Sequence, residues 1–300
     1  MEVNKVYNAD CLEVLKGIPD GSVNITFADP PFNLGKKYEC HNDSMQLNDY
    51  KLWCMDWMHE LIRITKSSGA IFIHNIPKFL GYHMRMLSAN AIFKNWIAWD
   101  APTSFVGNGL QATHYGILYY AKSVYAHKFY KVRYPHKRCR KCDFLIKDYG
   151  GKKDQIHPFG PVVSDVWTDI HRVRHSKYRD NHPCQLPVSL LERIILMCSD
   201  EGDIIFDPFM GTGTTALAAA NLGRNYLGSE ISSEYCSIID DNLKTKVEKK
   251  KIGNVWVSKN KSSILTTRDC DWEDLKGYFE IPENLKDVDF TKINLSKKGD

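Results

Sequence analysis

Short apolar runs alternate with longer amphipathic stretches over most of residues 1–247. Runs rich in β-branched and aromatic residues predict buried strands, and apolar residues recurring about every 3.6 positions predict helices packed on a core. The strands are predicted over 2–7, 23–28, 69–76, 92–99, 113–121, 203–206 and 226–230. The helices are predicted over 12–18, 49–66, 78–89, 186–199, 216–222 and 233–247. This alternation is typical of a layered α/β domain with a mainly parallel sheet.

Two prolines end the predicted strand over 23–28, in the sequence Asp29-Pro30-Pro31-Phe32. Proline fixes φ and has no backbone N–H, so strand pairing cannot continue through this segment. We therefore expect Asp29 at the carboxyl edge of the sheet, where open α/β sheets bind their ligands. The segment predicts a stiff turn that offers a carboxylate, backbone carbonyls and an aromatic face. Taken alone, it is explained equally well by a strand-ending turn with a solvated aspartate.

A second acidic residue follows the strand over 203–206. The sequence there is Asp207-Pro208-Phe209-Met210-Gly211-Thr212-Gly213-Thr214-Thr215, followed by an alanine-rich helix. Glycines let a ligand approach the backbone, and a helix N-terminus favours negative charge. The segment lacks the lysine of a P-loop and the third glycine of the dinucleotide fingerprint. Glu230 ends the next strand, where an acidic residue can accept both hydroxyls of a ribose. Together these features predict a site for a nucleotide-like cofactor.

The composition is that of a soluble globular protein, with 43% hydrophobic and 25% charged residues among 300. No apolar run is long enough to span a bilayer, and the first residues lack the apolar core of a secretory signal. Nine scattered cysteines indicate reduced thiols and not a disulfide framework. We therefore expect a cytoplasmic protein without membrane contact.

The net charge of +4 is unevenly distributed. Residues 122–180 hold fifteen Lys and Arg residues against six Asp and no Glu, so the remainder is mildly acidic. Basic residues interleaved with aromatic ones predict a folded surface that binds a polyanion, and a solvated loop is the alternative. The candidate nucleic-acid contacts are Arg133, Arg138, Arg140, Arg172 and Arg174.

The basic segment also contains Cys139 and Cys142, at the C-x-x-C spacing of a zinc ligand pair. His136 and His157 are the further candidate ligands. No second C-x-x-C pair exists, so reduced thiols are favoured and no metal is predicted. Residues 248–300 are charged and irregular in pattern, and they predict no defined role.

In combination, these motifs resemble the DNA amino-methyltransferases that use S-adenosylmethionine. They resemble the β class, in which the catalytic motif precedes the cofactor motif. The matching segments follow the family's order and are 10–12, 28–33, 182–185, 207–215 and 223–230. The resemblance implies a Rossmann-like methyltransferase fold, which is a three-layer α/β sandwich. It also implies a catalytic domain of residues 1–121 and 181–247, a basic target-recognition insertion at 122–180 and an extension at 248–300.

The family's substrate is a base flipped out of duplex DNA. By resemblance, Asp29 and the Pro30 carbonyl would accept the two N–H groups of its exocyclic amine, and Phe32 would stack on the base. Pro31 completes this catalytic motif. The implied cofactor-binding residues are Asp10, Cys11, Asp207, Pro208, Phe209, Gly211, Gly213, Thr214, Thr215 and Glu230.

One position departs from the family's pattern. Leu186 stands where these enzymes commonly have a lysine that meets the cofactor carboxylate. Another cation or backbone donors must therefore serve that carboxylate in this chain.

An aspartate at the head of the motif resembles the adenine-N6 enzymes, whereas a serine is more typical of the cytosine-N4 enzymes. We therefore predict a site-specific DNA adenine-N6 methyltransferase, from a restriction-modification system or an orphan methylase, with cytosine N4 as the alternative. RNA and release-factor methyltransferases place the cofactor motif first, and an inactive nucleic-acid-binding module would not need Asp29 and Asp207. Duplex DNA is the predicted partner, and the resemblance also allows a homodimer and a cognate restriction endonuclease.

Overall fold

The structure is a computed structural model that describes residues 2–35, 43–101, 110–134, 151, 160–173, 185–246, 251–252, 255–260 and 263–268. It divides into two compact units, of which the first comprises Met1–Phe129 and Ser164–Lys249, and the second Tyr130–Val163 and Lys250–Asp300. The basic insertion is predicted at 122–180. Of this segment, residues 122–129 and 164–180 belong to the first unit, and residues 130–163 belong to the second.

The helices of the described residues lie in the first unit. They are α1 (Cys11–Lys16), α2 (Leu47–Ile64), α3 (Pro77–Leu87), α4 (Val188–Cys198), α5 (Thr214–Asn221) and α6 (Ser233–Lys246). The strands, over both units, are β1 (Lys5–Asn8), β2 (Val23–Ala28), β3 (Thr65–Asn75), β4 (Ile92–Asp100), β5 (His114–Ala121), β6 (Val132–Arg133), β7 (Val166–Trp167), β8 (Ile204–Asp207), β9 (Asn225–Glu230), β10 (Lys251–Ile252), β11 (Val255–Asn260) and β12 (Ser263–Arg268).

The first unit is built on an eight-stranded sheet with the order β1-β9-β8-β2-β3-β5-β4-β7. All neighbouring strands in this order are parallel except β5, which is antiparallel to both β3 and β4. The prediction of a mainly parallel sheet is therefore confirmed. Every residue of β2 is buried, as expected of a central strand that is covered on both faces.

Helices cover the sheet on both faces. On one face, Leu118 and Tyr120 of β5 belong to the core formed with α1, α2 and α3. On the other face, the hydroxyl of Tyr119 accepts a hydrogen bond from the Cys198 thiol on α4, over 3.2 Å. Side chains alternate between faces along a strand, so the two helical groups lie on opposite sides. The predicted three-layer α/β sandwich is therefore confirmed.

One helix ends earlier than its apolar pattern predicts. The helix predicted over 49–66 ends at Ile64, and β3 begins at the next residue without a loop. The cause is local, because the Thr65 hydroxyl donates to the Leu61 carbonyl over 2.6 Å while the backbone at Thr65 turns extended. Thr65 then pairs with Val23 of β2.

The second unit contains a four-stranded sheet with the order β10-β11-β12-β6. Its neighbouring strands are all antiparallel. The prediction that residues 248–300 are irregular is therefore wrong for 251–252, 255–260 and 263–268, which form three strands of this sheet.

None of the helices in the described part of the chain is both long and apolar enough to cross a membrane.

Candidate active site

Four acidic residues meet at the carboxyl edge of the first unit's sheet. The strands β1, β2, β8 and β9 are mutually parallel neighbours, so their carboxyl ends lie at one edge. Asp10, Asp29, Asp207 and Glu230 stand at or just beyond those ends and line one pocket. This is the edge at which ligand binding is expected in an open α/β sheet.

The pocket brings together the two motifs that the sequence singled out. Of the fourteen predicted catalytic and cofactor-binding residues, Gly213 alone does not line it. The lining residues also include Gln185 and Leu186, the residue that stands where the family commonly has a lysine. The complete described lining is Ala9, Asp10, Cys11, Phe27, Asp29, Pro30, Pro31, Phe32, Trp53, Gln185, Leu186, Asp207, Pro208, Phe209, Met210, Gly211, Thr212, Thr214, Thr215, Glu230, Ile231, Ser232 and Tyr235.

The turn after β2 is held by groups from two other elements. Asp29 keeps 17% of its side chain exposed, and its Oδ1 lies 2.7 Å from Nδ1 of His74 at the end of β3. The hydroxyl of Tyr50 on α2 donates to the Pro31 carbonyl over 2.8 Å. Phe32 is 8% exposed, and its ring centroid lies 5.7 Å from that of His74.

Sequence reasoning missed both His74 and Tyr50. His74 follows the apolar run 71–73 of β3, which pairs in parallel with β2 through Ile73 and Ala28. A polar residue near the carboxyl end of the strand that neighbours β2 was therefore an available signal. Tyr50 carried no such signal, because it occupies the buried face of an amphipathic helix.

The loop after β8 is shaped around Asp207. Its carboxylate accepts hydrogen bonds from the Phe209 backbone N–H at 2.9 Å and from the Thr215 hydroxyl at 2.5 Å. Gly213 has φ +87°, and a Cβ there would lie 2.8 Å from Cγ1 of Ile239. Glycine is therefore required at the residue that precedes α5, for its backbone angle and for its small size.

The Glu230 carboxylate is fixed by the same loop. It accepts the Gly211 N–H at 2.8 Å and the Ser232 N–H at 2.9 Å, one on each oxygen. Each carboxylate oxygen has a second lone-pair direction, so both remain able to accept a ligand hydroxyl. Burial raises the pKa of Glu230, and these backbone hydrogen bonds oppose the effect.

The electrostatics of the pocket are set by buried acid groups. Burial raises the pKa of Asp207 to about 7, against the lowering effect of its hydrogen bonds from Thr215 and Phe209. The nearby carboxylates of Asp29 and Glu230 contribute to this rise. The described lining contains no Lys, Arg or His. Such a pocket favours a ligand with net positive charge.

Asp10 and Cys11 lie where α1 begins. Asp10 caps this helix, because its Oδ1 accepts the Leu12 N–H over 2.9 Å. Burial raises the pKa of the Cys11 thiol to about 12, so Cys11 offers backbone groups and a neutral thiol.

The predicted DNA contacts are only partly described. Arg172 belongs to the first unit, where its guanidinium lies 5.5 Å from the Tyr115 ring centroid. Arg133 belongs to the second unit and donates to the Gly160 carbonyl over 3.0 Å. Arg138, Arg140, Arg174, Cys139 and Cys142 lie outside the described residues. Within the described part of the chain, no group of His, Cys, Asp and Glu side chains is suited to hold a metal ion.

A mainly parallel sheet between two helical layers, with acidic residues and a glycine loop at its carboxyl edge, defines an α/β protein whose site suits a nucleotide-like cofactor. The N6_N4_Mtase family model, described as DNA methylase, matches residues 23–241, and the chain belongs to this family.

Individual relatives agree with this assignment. The type II methyltransferase M.BamHI of Bacillus amyloliquefaciens is 42% identical over 263 residues, which cover 87% of this chain and 62% of that protein. This chain thus spans less than two thirds of the length of M.BamHI. The DNA adenine methyltransferase YhdJ of Escherichia coli K12 is 32% identical over 275 residues, covering 85% of this chain and 90% of that protein.

The fold has solved counterparts. The crystal structure of the M1.HpyAVI–SAM complex aligns with a TM-score of 0.55 at 21% identity, covering 80% of this chain and 98% of that one. At this identity, the similarity establishes the shared fold.

Proposed function

We propose that this protein transfers a methyl group from S-adenosylmethionine to the exocyclic amino group of a base flipped out of duplex DNA. The observation that carries the proposal is the single pocket that joins the turn 29–32 to the loop 207–215. Family membership and the names of M.BamHI and YhdJ support the same class of reaction.

The pocket suits the proposed cofactor. S-adenosylmethionine carries a sulfonium and an ammonium group against one carboxylate, and the described lining holds four carboxyl groups without a basic side chain. Glu230 would hold the ribose hydroxyls, and Asp10 with the Cys11 backbone would hold the adenine. With Leu186 apolar, the cofactor carboxylate would meet backbone N–H groups and threonine hydroxyls where α5 begins.

The cofactor supplies an electrophilic methyl group, and the residues of the turn prepare the acceptor. An exocyclic amine is a weak nucleophile because its lone pair is delocalised into the ring. Asp29 and the Pro30 carbonyl would accept its two N–H groups and orient the nitrogen lone pair towards the cofactor. Asp29 would also receive the proton that the nitrogen gives up. Phe32 would stack on the base and fix its plane.

We propose adenine N6 as the acceptor. Asp29 at the head of the motif and the similarity to YhdJ support this choice. Cytosine carries a comparable amino group at N4, so it is the alternative that the product must exclude. We further propose a cytoplasmic enzyme that is a homodimer and acts with or without a partner endonuclease. We also propose the basic segment 122–180 as the target-recognition surface.

The test is transfer of labelled methyl from S-adenosylmethionine to unmethylated duplex DNA, followed by nucleoside analysis. We expect N6-methyladenine, whereas N4-methylcytosine would overturn the choice of base and keep the mechanism. Asp29→Ala should abolish transfer while the cofactor Kd stays unchanged, because Asp29 contacts the base. Asp56→Ala, at an exposed position of α2, is the matched control. No label in any DNA would refute the proposed function.

A further inference from the structure

Asp29, in the lining of the pocket, is in direct contact with the buried side chain of His74. The parallel register places Ala28 opposite Ile73, so Asp29, just after β2, and His74, the next-to-last residue of β3, lie side by side at the carboxyl edge of the sheet. Oδ1 of Asp29 and Nδ1 of His74 are 2.7 Å apart. Within the described residues, Asp29 Oδ1 has this partner and Oδ2 has none. We propose that His74 is a positioning residue, which holds Oδ1 so that Oδ2 receives the amine of the base.

The direction of the hydrogen bond follows from the chemistry of the two groups. A carboxylate oxygen accepts hydrogen bonds, so the Nδ1–H of His74 is the donor to Asp29. The other ring nitrogen, Nε2, is buried and has no hydrogen-bond partner among the described residues. The ring thus makes one polar contact with a described residue, and that contact is to Asp29.

The imidazole is held in place by aromatic rings. His74 is 2% exposed, and its ring centroid lies 5.2 Å from that of Tyr115, 5.7 Å from Phe32 and 5.8 Å from Trp99. Trp99 is itself fixed, because its Nε1–H donates to the Ile170 carbonyl over 2.8 Å. A donor with this little freedom fixes the direction of the carboxylate that it binds.

The consequence for the reaction rests on the proposed function. An amine is methylated efficiently only when its lone pair points at the methyl group, and the hydrogen bond from its N–H to Asp29 sets that direction. If Asp29 could rotate, the nitrogen would lose its alignment while the cofactor stayed bound. His74 should therefore affect the rate of methyl transfer and leave cofactor affinity unchanged.

Three substitutions separate donation from packing. His74→Asn places an amide nitrogen close to the position of Nδ1 and keeps the donor. His74→Gln places its nitrogen nearer to Nε2 and loses the donor to Asp29. His74→Phe keeps a buried ring and has no donor. We expect single-turnover transfer to fall roughly 10²-fold in His74→Phe and His74→Gln, and about tenfold or less in His74→Asn. The cofactor Kd, measured by calorimetry, should be the same in all three.

A double-mutant cycle with Asp29→Asn tests whether His74 acts through Asp29. If it does, the two losses of rate should be coupled, so the double variant should be less impaired than the product of the losses from His74→Phe and Asp29→Asn. Independent losses that multiply in the double variant would overturn the proposal. So would wild-type transfer in His74→Phe, or equal losses in His74→Asn and His74→Gln.

Thermal unfolding monitors the fold of each variant. If His74→Phe does not fold, the contrast between His74→Asn and His74→Gln decides the proposal alone. Failure of the proposed function has a different signature, because the wild-type chain would then transfer no methyl group to DNA. That result would overturn the role of His74 together with the proposed function.

Discussion

The Tyr50 hydroxyl on α2 donates a hydrogen bond to the Pro31 carbonyl oxygen over 2.8 Å. Tyr50 is 1% exposed, and its ring packs edge-on against Phe79 at 5.0 Å between centroids. The turn that carries Asp29 is thus fixed at two points, by His74 at the carboxylate and by Tyr50 two residues later. A short turn with both anchors in the packed core is preorganised, as its proposed role in binding a base requires.

Removal of the Tyr50 hydroxyl should loosen this turn. We expect Tyr50→Phe to lower the free energy of unfolding by about 1 kcal/mol, the usual net value of one buried hydrogen bond. The methyl-transfer rate should fall severalfold with an unchanged cofactor Kd. Urea unfolding and single-turnover assays measure the two effects. Tyr82→Phe is the matched control, because Tyr82 is 43% exposed. If Tyr50→Phe and Tyr82→Phe gave the same free energy of unfolding and the same transfer rate, the Tyr50 hydroxyl would not anchor the turn.

Gly213 should tolerate no side chain. Its φ is +87°, and a Cβ would lie 2.8 Å from Cγ1 of Ile239, which is 1% exposed on α6. We expect Gly213→Ala to destabilise the protein by more than about 1 kcal/mol and to weaken cofactor binding, because the loop must shift. Urea unfolding and calorimetry measure these changes.

The control for Gly213→Ala is Gly21→Ala. Gly21 also has a positive φ, of +56°, but a Cβ there meets nothing within 4 Å. This control therefore reports the backbone strain without the steric clash. Equal destabilisation in both variants would mean that the Ile239 side chain can move away from the new Cβ without lowering the free energy of unfolding.

The meeting of the two motifs could be predicted because it follows from topology. Parallel strands bring their carboxyl ends to one edge, so acidic residues after predicted strands had to converge. The sequence thus located Asp29, Asp207 and Glu230, and the structure places them in one pocket. Their roles toward the cofactor and the base remain predictions that the experiments above address.

The features that the sequence did not predict depend on contacts between distant parts of the chain. The contact between His74 and Asp29 spans 45 residues, and that between Tyr50 and Pro31 spans 19. The second sheet joins β12 to β6, a strand of only two residues. Such a short strand leaves no periodic pattern, and β12 therefore pairs with a partner that local propensity cannot identify.

Arg172 should contribute to DNA binding through its charge. Its guanidinium lies 5.5 Å from the Tyr115 ring centroid, and that ring lies 6.0 Å from Phe32. We expect Arg172→Ala to weaken binding of duplex DNA and to reduce the slope of log K against log salt by about 1. Fluorescence anisotropy over a salt series measures the slope.

Two further variants define what Arg172 does. Arg172→Lys should keep the salt slope, because it keeps the charge, and Arg85→Ala on the exposed side of α3 should not change it. An unchanged slope in Arg172→Ala would exclude a phosphate contact at this residue.

Asp207 should make stability depend on pH. Burial raises its pKa to about 7, from an ordinary value of 3.8. Between these values the folded protein holds a proton that the unfolded chain has released. Stability falls with pH wherever the folded state binds more protons, so the free energy of unfolding should decrease as pH rises through this window. Burial also raises the pKa of Glu230, which acts in the same direction.

Asp207→Asn removes this titration, because it replaces the carboxyl group with an amide that has the same shape and no charge. Relative to the wild type, the cofactor-free variant should be more stable at pH 8, and the gain should shrink as pH falls to 5. One pKa unit corresponds to about 1.4 kcal/mol. The difference in free energy of unfolding between the variant and the wild type should therefore change by at most about 1.4 kcal/mol per pH unit. Urea unfolding at pH 5, 6.5 and 8 measures it, with Asp56→Asn at an exposed position as control. A gain that stays constant across this range would show that Asp207 does not titrate there, and would assign its effect to packing alone.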